Sequence, residues 1–130
     1  MIDLRSVEAD SAYTHIFAYK VSRENHRALL GVLARISKVL KKHGMASSRI
    51  YQLGKTNVFK GFEGFEKALG SFSAEEIWIE TDFYSSKAEF DRIMAKLTED
   101  KEAQLSFGEL RQITASRPVI MGEFHLLATE

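Results

Sequence analysis

The chain has no cysteine, one proline, no net charge and no long apolar run. The absence of cysteine excludes disulfides, thiolate metal sites and cysteine nucleophiles, and it is typical of a reducing compartment. Because 18 basic residues balance 18 acidic residues, no net field attracts nucleic acid or an anionic membrane. Neither a membrane-spanning segment nor a signal peptide is predicted, so we expect a cytoplasmic protein without nucleic-acid or membrane partners.

The strongest strand signal lies in residues 75–84, with the sequence EEIWIETDFY. β-Branched and aromatic residues alternate there with acidic and aromatic residues, which is typical of a strand with one face on a dry core. One face carries Ile77, Ile79, Thr81 and Phe83, and the other carries Glu76, Trp78, Glu80, Asp82 and Tyr84. We expect the first face to pack against the core.

Further strands are predicted over residues 15–21, 47–53 and 119–128, and amphipathic helices over residues 22–43 and 87–99. A shorter helix is predicted over residues 102–116. The order strand, helix, strand, strand, helix, strand is the ferredoxin-like βαββαβ pattern, an α+β fold with an antiparallel sheet. Right-handed crossovers place both long helices on one face of that sheet. We therefore expect one ferredoxin-like domain over residues 1–130, with an N-terminal arm at 1–13 and a connecting segment at 54–73.

The two faces of the predicted sheet differ in chemistry. The apolar set is assigned to the helix side: Ile16, Ala18, Ile50, Ile77, Ile79, Ile120, Phe124 and Leu126. The aromatic and titratable set is assigned to the helix-free side: His15, Phe17, Tyr19, Arg49, Tyr51, Trp78, Glu80, Asp82, Glu123 and His125. Since so aromatic a surface is poorly suited to water, a second copy packed sheet to sheet would cover it and enclose a cavity. The sequence thus predicts a homodimer.

Motifs in the last third of the chain resemble a known superfamily. They are FYSSKAEFDR at 83–92, MAKL at 94–97 and Gly122-Glu123-Phe124 in the last strand. The chain resembles the dimeric α/β barrel superfamily and, within it, the YbaA-like group of uncharacterised proteins. That resemblance implies a homodimeric α/β barrel. The superfamily includes cofactor-free monooxygenases, haem-degrading enzymes, haem peroxidases and members without known activity, so it implies the fold more than a reaction, and no cofactor is assigned.

The candidate site residues lie on the predicted helix-free face. Because the first and last strands are antiparallel neighbours, we expect His15 and His125 to face each other, with Glu123 nearby. Imidazoles and carboxylates are acid and base groups, which makes Glu80, Glu123 and His125 the catalytic candidates. The predicted ligand-binding residues are His15, Tyr19, Arg49, Tyr51 and Trp78.

Several alternatives remain open for these residues. Histidines and carboxylates are also ligands for zinc, iron and manganese, but a helical His-x-x-x-His pair is missing and no metal site is assigned. Trp78 fits a packed core or interface better than a ligand platform. Glu80, Glu123 and Arg49 would alternatively pair within a packed dimer interface that has no cavity.

Two functions from different classes follow. In the first, an apolar cavity binds a small molecule, as in a cofactor-free monooxygenase-like or isomerase-like enzyme, and one of the candidate carboxylates or histidines acts as a base. In the second, the protein is a structural or interaction dimer. We favour ligand binding because titratable groups are poor choices for a purely packed interface.

Overall fold

The computed structural model describes residues 12–55, 57–71 and 74–128. Its strands are β1 Tyr13–Ser22, β2 Ser47–Gln52, β3 Glu75–Tyr84 and β4 Ile120–His125. Its α-helices are α1 His26–His43, α2 Phe65–Leu69, α3 Lys87–Leu97 and α4 Lys101–Ile113. The strand order is β2-β3-β1-β4 and every neighbouring pair is antiparallel. The predicted ferredoxin-like α+β fold is therefore confirmed, and its sheet is open rather than closed into a barrel.

The helix boundaries follow from local capping. A 3₁₀ turn at Arg23–Asn25 leads into α1, and the helix ends at Gly44 with φ of 124°, a conformation that side-chain-bearing residues rarely adopt. The hydroxyl of Ser86 accepts a hydrogen bond from the amide of Glu89 and so caps α3, which begins at Lys87 as predicted. These caps fix where each helix starts and stops above the sheet.

One carboxylate ties two helices together. Asp100 caps α4 by accepting a hydrogen bond from the amide of Ala103, and it also contacts His43 and Lys42 at the end of α1 at 2.8 and 2.9 Å. These hydrogen bonds hold the pKa of Asp100 below its usual range. Helix α4 is thereby held beside α1, where it forms part of the layer that covers the sheet.

The alternation predicted for β3 is correct, but the predicted orientation of the strand is wrong. Trp78, Glu80, Asp82 and Tyr84 lie under the helices and are buried. Trp78 packs in a core cluster with Leu29 and Leu33 of α1, and Tyr84 packs in a second cluster with Ile93 of α3. The prediction failed because buried partners, not water, satisfy the polar atoms of this face.

The same correction applies to β1 and β4. His15, Phe17 and Tyr19 of β1 face the helices, and register places Glu123 and His125 of β4 on that same side. Their apolar neighbours lie on the helix-free side, contrary to expectation: Ile16, Ala18, Ile77, Ile79, Ile120 and Phe124. Leu126 follows the end of β4 and is half exposed.

Strand β2 was predicted correctly in part. Arg49 and Tyr51 are exposed on the helix-free side, and the Arg49 guanidinium lies 5.8 Å from the centre of the Phe83 ring. Ile50, which was expected on the helix side, does pack against the cluster that contains Trp78. Residues 48 and 50 therefore face the helices, while 49 and 51 face away.

The predicted connecting segment at 54–73 contains the short helix α2. At its end, the Lys20 ammonium donates a hydrogen bond to the Leu69 carbonyl oxygen at 2.9 Å, which ties the segment to β1. The predicted arm at 1–13 falls mostly outside the described residues. Within the described ranges, no helix is long and apolar enough to cross a membrane.

Candidate functional site

A cavity of about 200 Å³ lies between the sheet and helices α1, α3 and α4. Its floor is formed by side chains of β1 and β3, and the polar members of that floor are His15, Tyr19, Glu80, Asp82 and Tyr84. Its walls are apolar and come from the helices, including Leu33, Ile36, Phe90, Met94, Phe107 and Leu110. A cluster of titratable groups at the base of an apolar cavity is typical of a small-molecule site.

Glu80 and Tyr19 form the best-defined contact in the cavity. The Tyr19 hydroxyl donates a hydrogen bond of 2.7 Å to Glu80 Oε1, and both residues are buried. Burial, followed by the hydrogen bond and negative charge of Asp82, raises the pKa of Glu80 to about 9. Burial and the neighbouring Glu80 also raise the pKa of Tyr19. Glu80 is therefore a carboxylic acid at neutral pH.

Asp82 lies two residues from Glu80 on the same face of β3. Its Oδ1 accepts a hydrogen bond of 2.6 Å from the Ser48 hydroxyl of β2. Its hydrogen bonding and negative charge are, after burial, the causes that raise the pKa of Glu80, so Glu80 holds its proton beside a second carboxyl group. The pair can thus donate a proton from Glu80 or receive one, which is the property required of a general acid or base.

A second polar group adjoins the cavity where β1 meets β4. The Tyr13 hydroxyl donates a short hydrogen bond to Glu123, and His15 Nε2 lies 3.4 Å from Glu123 Oε1 and 3.3 Å from the Tyr13 hydroxyl. Burial lowers the pKa of His15, while the hydrogen bond from Tyr13 lowers the pKa of Glu123. At neutral pH this group therefore consists of a neutral imidazole beside an ionised carboxylate.

Some predicted site residues line the cavity, some lie near its edge, and the rest lie elsewhere. His15, Tyr19 and Glu80 line the cavity, and Glu123 contacts His15 at its edge. The predicted pairing of His15 with His125 is wrong by two positions, since the register places Tyr13 opposite His125 and Glu123 opposite His15. The His125 ring packs 5.1 Å from the Tyr13 ring, and its Nδ1 is buried with no hydrogen-bond partner among the described residues.

The remaining predicted site residues do not line the cavity. Trp78 is buried in the core, and its indole N–H donates a hydrogen bond of 2.9 Å to Glu76. The core position that the sequence favoured for Trp78 agrees with this packing. Arg49 and Tyr51 lie on the helix-free face, away from Glu80.

The sequence analysis missed several contributors to the site. Asp82 was placed on the same face as Glu80 but given no role, although its spacing of two residues from Glu80 signals adjacent carboxyl groups. Tyr13 fell within the unassigned arm. Ser48 and the helix residues that form the walls, among them Met94, give no signal of their own, because an apolar helix stripe looks the same over a packed core as over a cavity.

The arrangement of the acidic and histidine side chains also shows whether they could bind a metal ion together. Within residues 12–55, 57–71 and 74–128, no group of three or more histidine, aspartate and glutamate side chains is arranged to hold a metal ion. What the cavity offers is a protonated Glu80 beside Asp82, a neutral imidazole, two phenols and apolar walls. Such groups can bind a mostly apolar molecule and move a proton on it.

Solved structures similar to this chain share its fold at low sequence identity. A dimeric ferredoxin-like protein from an uncultured marine organism is 10% identical, with 92% of this chain and 98% of that chain covered and a TM-score of 0.61. SnoaB, a cofactor-independent oxygenase from Streptomyces nogalater, is 13% identical, with coverages of 92% and 96% and a TM-score of 0.54. The hydroxynitrile lyase from Passiflora edulis is 8% identical, with coverages of 90% and 94% and a TM-score of 0.55.

These three likenesses concern the fold, which supports different activities in different proteins. No curated protein matches the chain. Residues 12–111 match the family model described as "Protein of unknown function (DUF1428)", and the chain therefore belongs to that family.

Proposed function

We propose that this protein binds a small, largely apolar molecule in the cavity beneath its helices and that the Glu80–Asp82 pair transfers a proton to or from it. The observation that carries the proposal is a buried carboxylic acid beside a second carboxyl group at the base of an apolar cavity. Titratable groups whose pKa is shifted by burial and by a neighbouring charge inside a cavity are concentrated at functional sites, which supports the proposal.

The size and charge of the cavity limit the ligand. A cavity of about 200 Å³ exceeds the roughly 150 Å³ that accepts benzene, so a single ring with a few substituents fits. Because Asp82 already supplies a negative charge, an anionic ligand would be repelled. The preferred ligand is neutral and carries one hydroxyl or carbonyl group that hydrogen-bonds to Glu80 or Tyr19.

The reaction class that suits these groups is proton transfer without a resident cofactor. Among proteins of the same fold, SnoaB is a cofactor-independent oxygenase and the Passiflora edulis protein is a hydroxynitrile lyase. These proteins support the class of chemistry by analogy alone. We also propose that the chain is related to the YbaA-like group of uncharacterised proteins. That relation suggests no further reaction.

Self-association is a second part of the proposal. Ile120, Phe124 and Tyr51 of the helix-free face are about half exposed, and so large an apolar surface favours a partner. A protein with the same fold is a dimeric ferredoxin-like protein. Because the cavity lies on the other side of the sheet, each protomer of such a homodimer keeps a cavity of its own.

Methyl NMR of the methionines tests ligand binding. Met94 lines the cavity, whereas Met45 lies in the packed core and Met121 is exposed on β4. Phenol, benzaldehyde and benzoate are titrated separately into protein labelled at the methionine methyl groups. We expect phenol or benzaldehyde to shift the Met94 resonance with a Kd on the order of 1 mM, and benzoate to bind more weakly.

Two leucine-to-phenylalanine variants of α1 form a matched control. Leu33→Phe narrows the cavity, while Leu30→Phe adds the same side chain at a position that is 43% exposed. The Met94 shift should disappear in the first variant and persist in the second. If no probe shifts Met94, or if Leu33→Phe leaves its shift unchanged, the binding proposal is wrong and the alternative of a non-catalytic dimer gains support.

A further inference from the structure

The polar residues of the cavity continue across the sheet in a single row. The register places Glu123 of β4 opposite His15 of β1, His15 opposite Asp82 of β3, and Asp82 opposite Ser48 of β2. All four side chains lie on the helix-covered face. Directly opposed residues of antiparallel strands have Cβ atoms about 5 Å apart, so adjacent members of the row are neighbours.

Exposure to solvent changes sharply along this row. The Glu123 side chain is 50% exposed, whereas that of His15 is only 9% exposed. Asp82 and its neighbour Glu80 are buried, and His15 lines the cavity together with them. The row therefore leads from solvent at the β4 edge to the carboxyl pair inside.

The contacts at the solvent end bring a carboxylate against the imidazole. Glu123 Oε1 lies 3.4 Å from His15 Nε2, and the Tyr13 hydroxyl both donates to Glu123 and lies 3.3 Å from the same nitrogen. Tyr13 is buried, so its hydrogen bond fixes the position of the half-exposed Glu123 carboxylate. A fixed carboxylate next to an imidazole is suited to passing a proton.

We propose that His15 relays protons between Glu123 at the surface and the Glu80–Asp82 pair in the cavity, with Tyr13 as a positioning residue for Glu123. This inference rests on the proposed function, because a site that takes a proton from its ligand must return it to water. The relay supplies a path through side chains when a ligand fills the cavity and displaces its water.

The proton balance of the relay closes without any further reactant. A proton released by the carboxyl pair passes to the neutral His15 imidazole, which becomes an imidazolium. The imidazolium passes one proton to Glu123, and Glu123 releases it to water. Each group gains one proton and loses one, so every charge returns to its starting value. Because the imidazole accepts on one ring nitrogen and releases from the other, His15 is left as the other neutral tautomer. Rotation of the ring or exchange with water restores the first tautomer before the next transfer.

The surroundings of His15 fit a group that holds a proton only briefly. Burial disfavours the imidazolium and lowers the pKa of His15, while Glu123 and Asp82 oppose that effect from the two sides. The charged and titratable groups that face His15 come from β1, β3, β4 and α3: Tyr13, Asp82, Tyr84, Glu123 and Lys87. A neutral imidazole between two carboxylates accepts and releases a proton readily.

The exchange of the Tyr19 hydroxyl proton with solvent tests the relay without any ligand. That proton is hydrogen-bonded to Glu80, and its replacement by deuterium changes the chemical shift of the labelled Tyr19 Cζ carbon. We expect Glu123→Gln and His15→Gln each to slow this exchange by roughly tenfold or more in the full-length protein. Tyr13→Phe should slow it by less.

The sign of the effect separates a relay from a structural role. A variant that only loosens the fold would speed the exchange of Tyr19 and of buried backbone amides together. Glu109→Gln is the matched control, because Glu109 is another half-exposed carboxylate, paired with Arg35 away from the row. An exchange rate that is unchanged or faster in Glu123→Gln would overturn the relay, and the binding of phenol at Met94 would be unaffected by that result.

Discussion

The two faces of the sheet differ in where their titratable and apolar side chains lie relative to solvent. The helix-covered face carries Glu80, Asp82 and His15, and these side chains are buried. The helix-free face carries isoleucines and phenylalanines, of which Ile120 and Phe124 are about half exposed. A titratable residue in a predicted strand can therefore belong to a buried cavity as well as to an exposed surface.

Hydrogen bonding explains how the acidic face tolerates burial. Tyr19 donates to Glu80, Ser48 donates to Asp82, and the raised pKa of Glu80 keeps that carboxyl group protonated. Each acidic group therefore has a partner, which removes most of the penalty for leaving water. The helix-free face has no such need, and its apolar residues are suited to packing against a second copy.

The largest effect should come from truncating a core residue of the helix-covered face. Trp78→Ala removes a side chain that is 2% exposed and leaves a cavity, so we expect a loss of about 3–5 kcal/mol in the free energy of unfolding. Urea denaturation measures it. Phe124→Ala on the helix-free face should cost far less in the monomer. A similar loss for the two variants would mean that the faces are equally buried.

The helix-free face should instead control association. Phe124→Glu places a charge on the proposed sheet-to-sheet interface and should weaken a homodimer by about 2 kcal/mol, roughly thirtyfold in Kd. Light scattering coupled to size-exclusion chromatography measures the mass across a dilution series. Leu105→Glu is the control, since Leu105 is 70% exposed on α4. A wild-type monomer, or a dimer unaffected by Phe124→Glu, would contradict the proposed interface.

Removing one hydroxyl from each face gives a smaller but cleaner contrast. Tyr19→Phe leaves buried Glu80 without its donor and should cost about 1–2 kcal/mol in the free energy of unfolding. Tyr51→Phe removes a hydroxyl from a residue that is 50% exposed and should change stability by less than about 0.5 kcal/mol. Urea denaturation of both variants gives the comparison. Equal effects would show that the Tyr19–Glu80 hydrogen bond is unimportant for stability.

The pH dependence of stability should reveal the proton held by Glu80. Its pKa is raised from 4.5 to about 9, so the unfolded state loses this proton first and wild-type stability falls as pH rises through that window. Between about pH 5 and about pH 8, the free energy of unfolding should decrease in both proteins. The decrease in Glu80→Gln should be smaller than that of the wild type by at least about 1 kcal/mol. The exposed Glu63→Gln variant should follow wild type. A Glu80→Gln curve parallel to wild type would contradict a raised pKa.

The parts of the fold that follow local rules could be predicted from the sequence. The period of two in residues 75–84 predicted the observed bounds of β3, and the predicted helix over 87–99 starts where α3 starts. The predicted end of the first long helix at residue 43 is the observed end of α1. These signals are local because they depend on side-chain spacing and on caps within a few residues.

The site could be predicted only in part. Glu80, His15 and Tyr19 were chosen as candidates from their chemistry and do line one cavity, but it lies on the side of the sheet opposite to that predicted. Alternation shows that two faces differ without showing which one the helices cover. The offset between His15 and His125 was likewise beyond prediction, because β1 and β4 are distant in sequence and their register depends on packing.

The sequence by itself determined the elements, their order and the ferredoxin-like topology, because spacing, capping and crossover handedness are local or general properties of chains. Tertiary structure decided which face of β3 the helices cover and which residues meet across strands. It placed Glu80 beside Tyr19, and Glu123 beside His15. Those contacts join residues that are far apart in sequence, and their protonation depends on burial that only the packed helices provide.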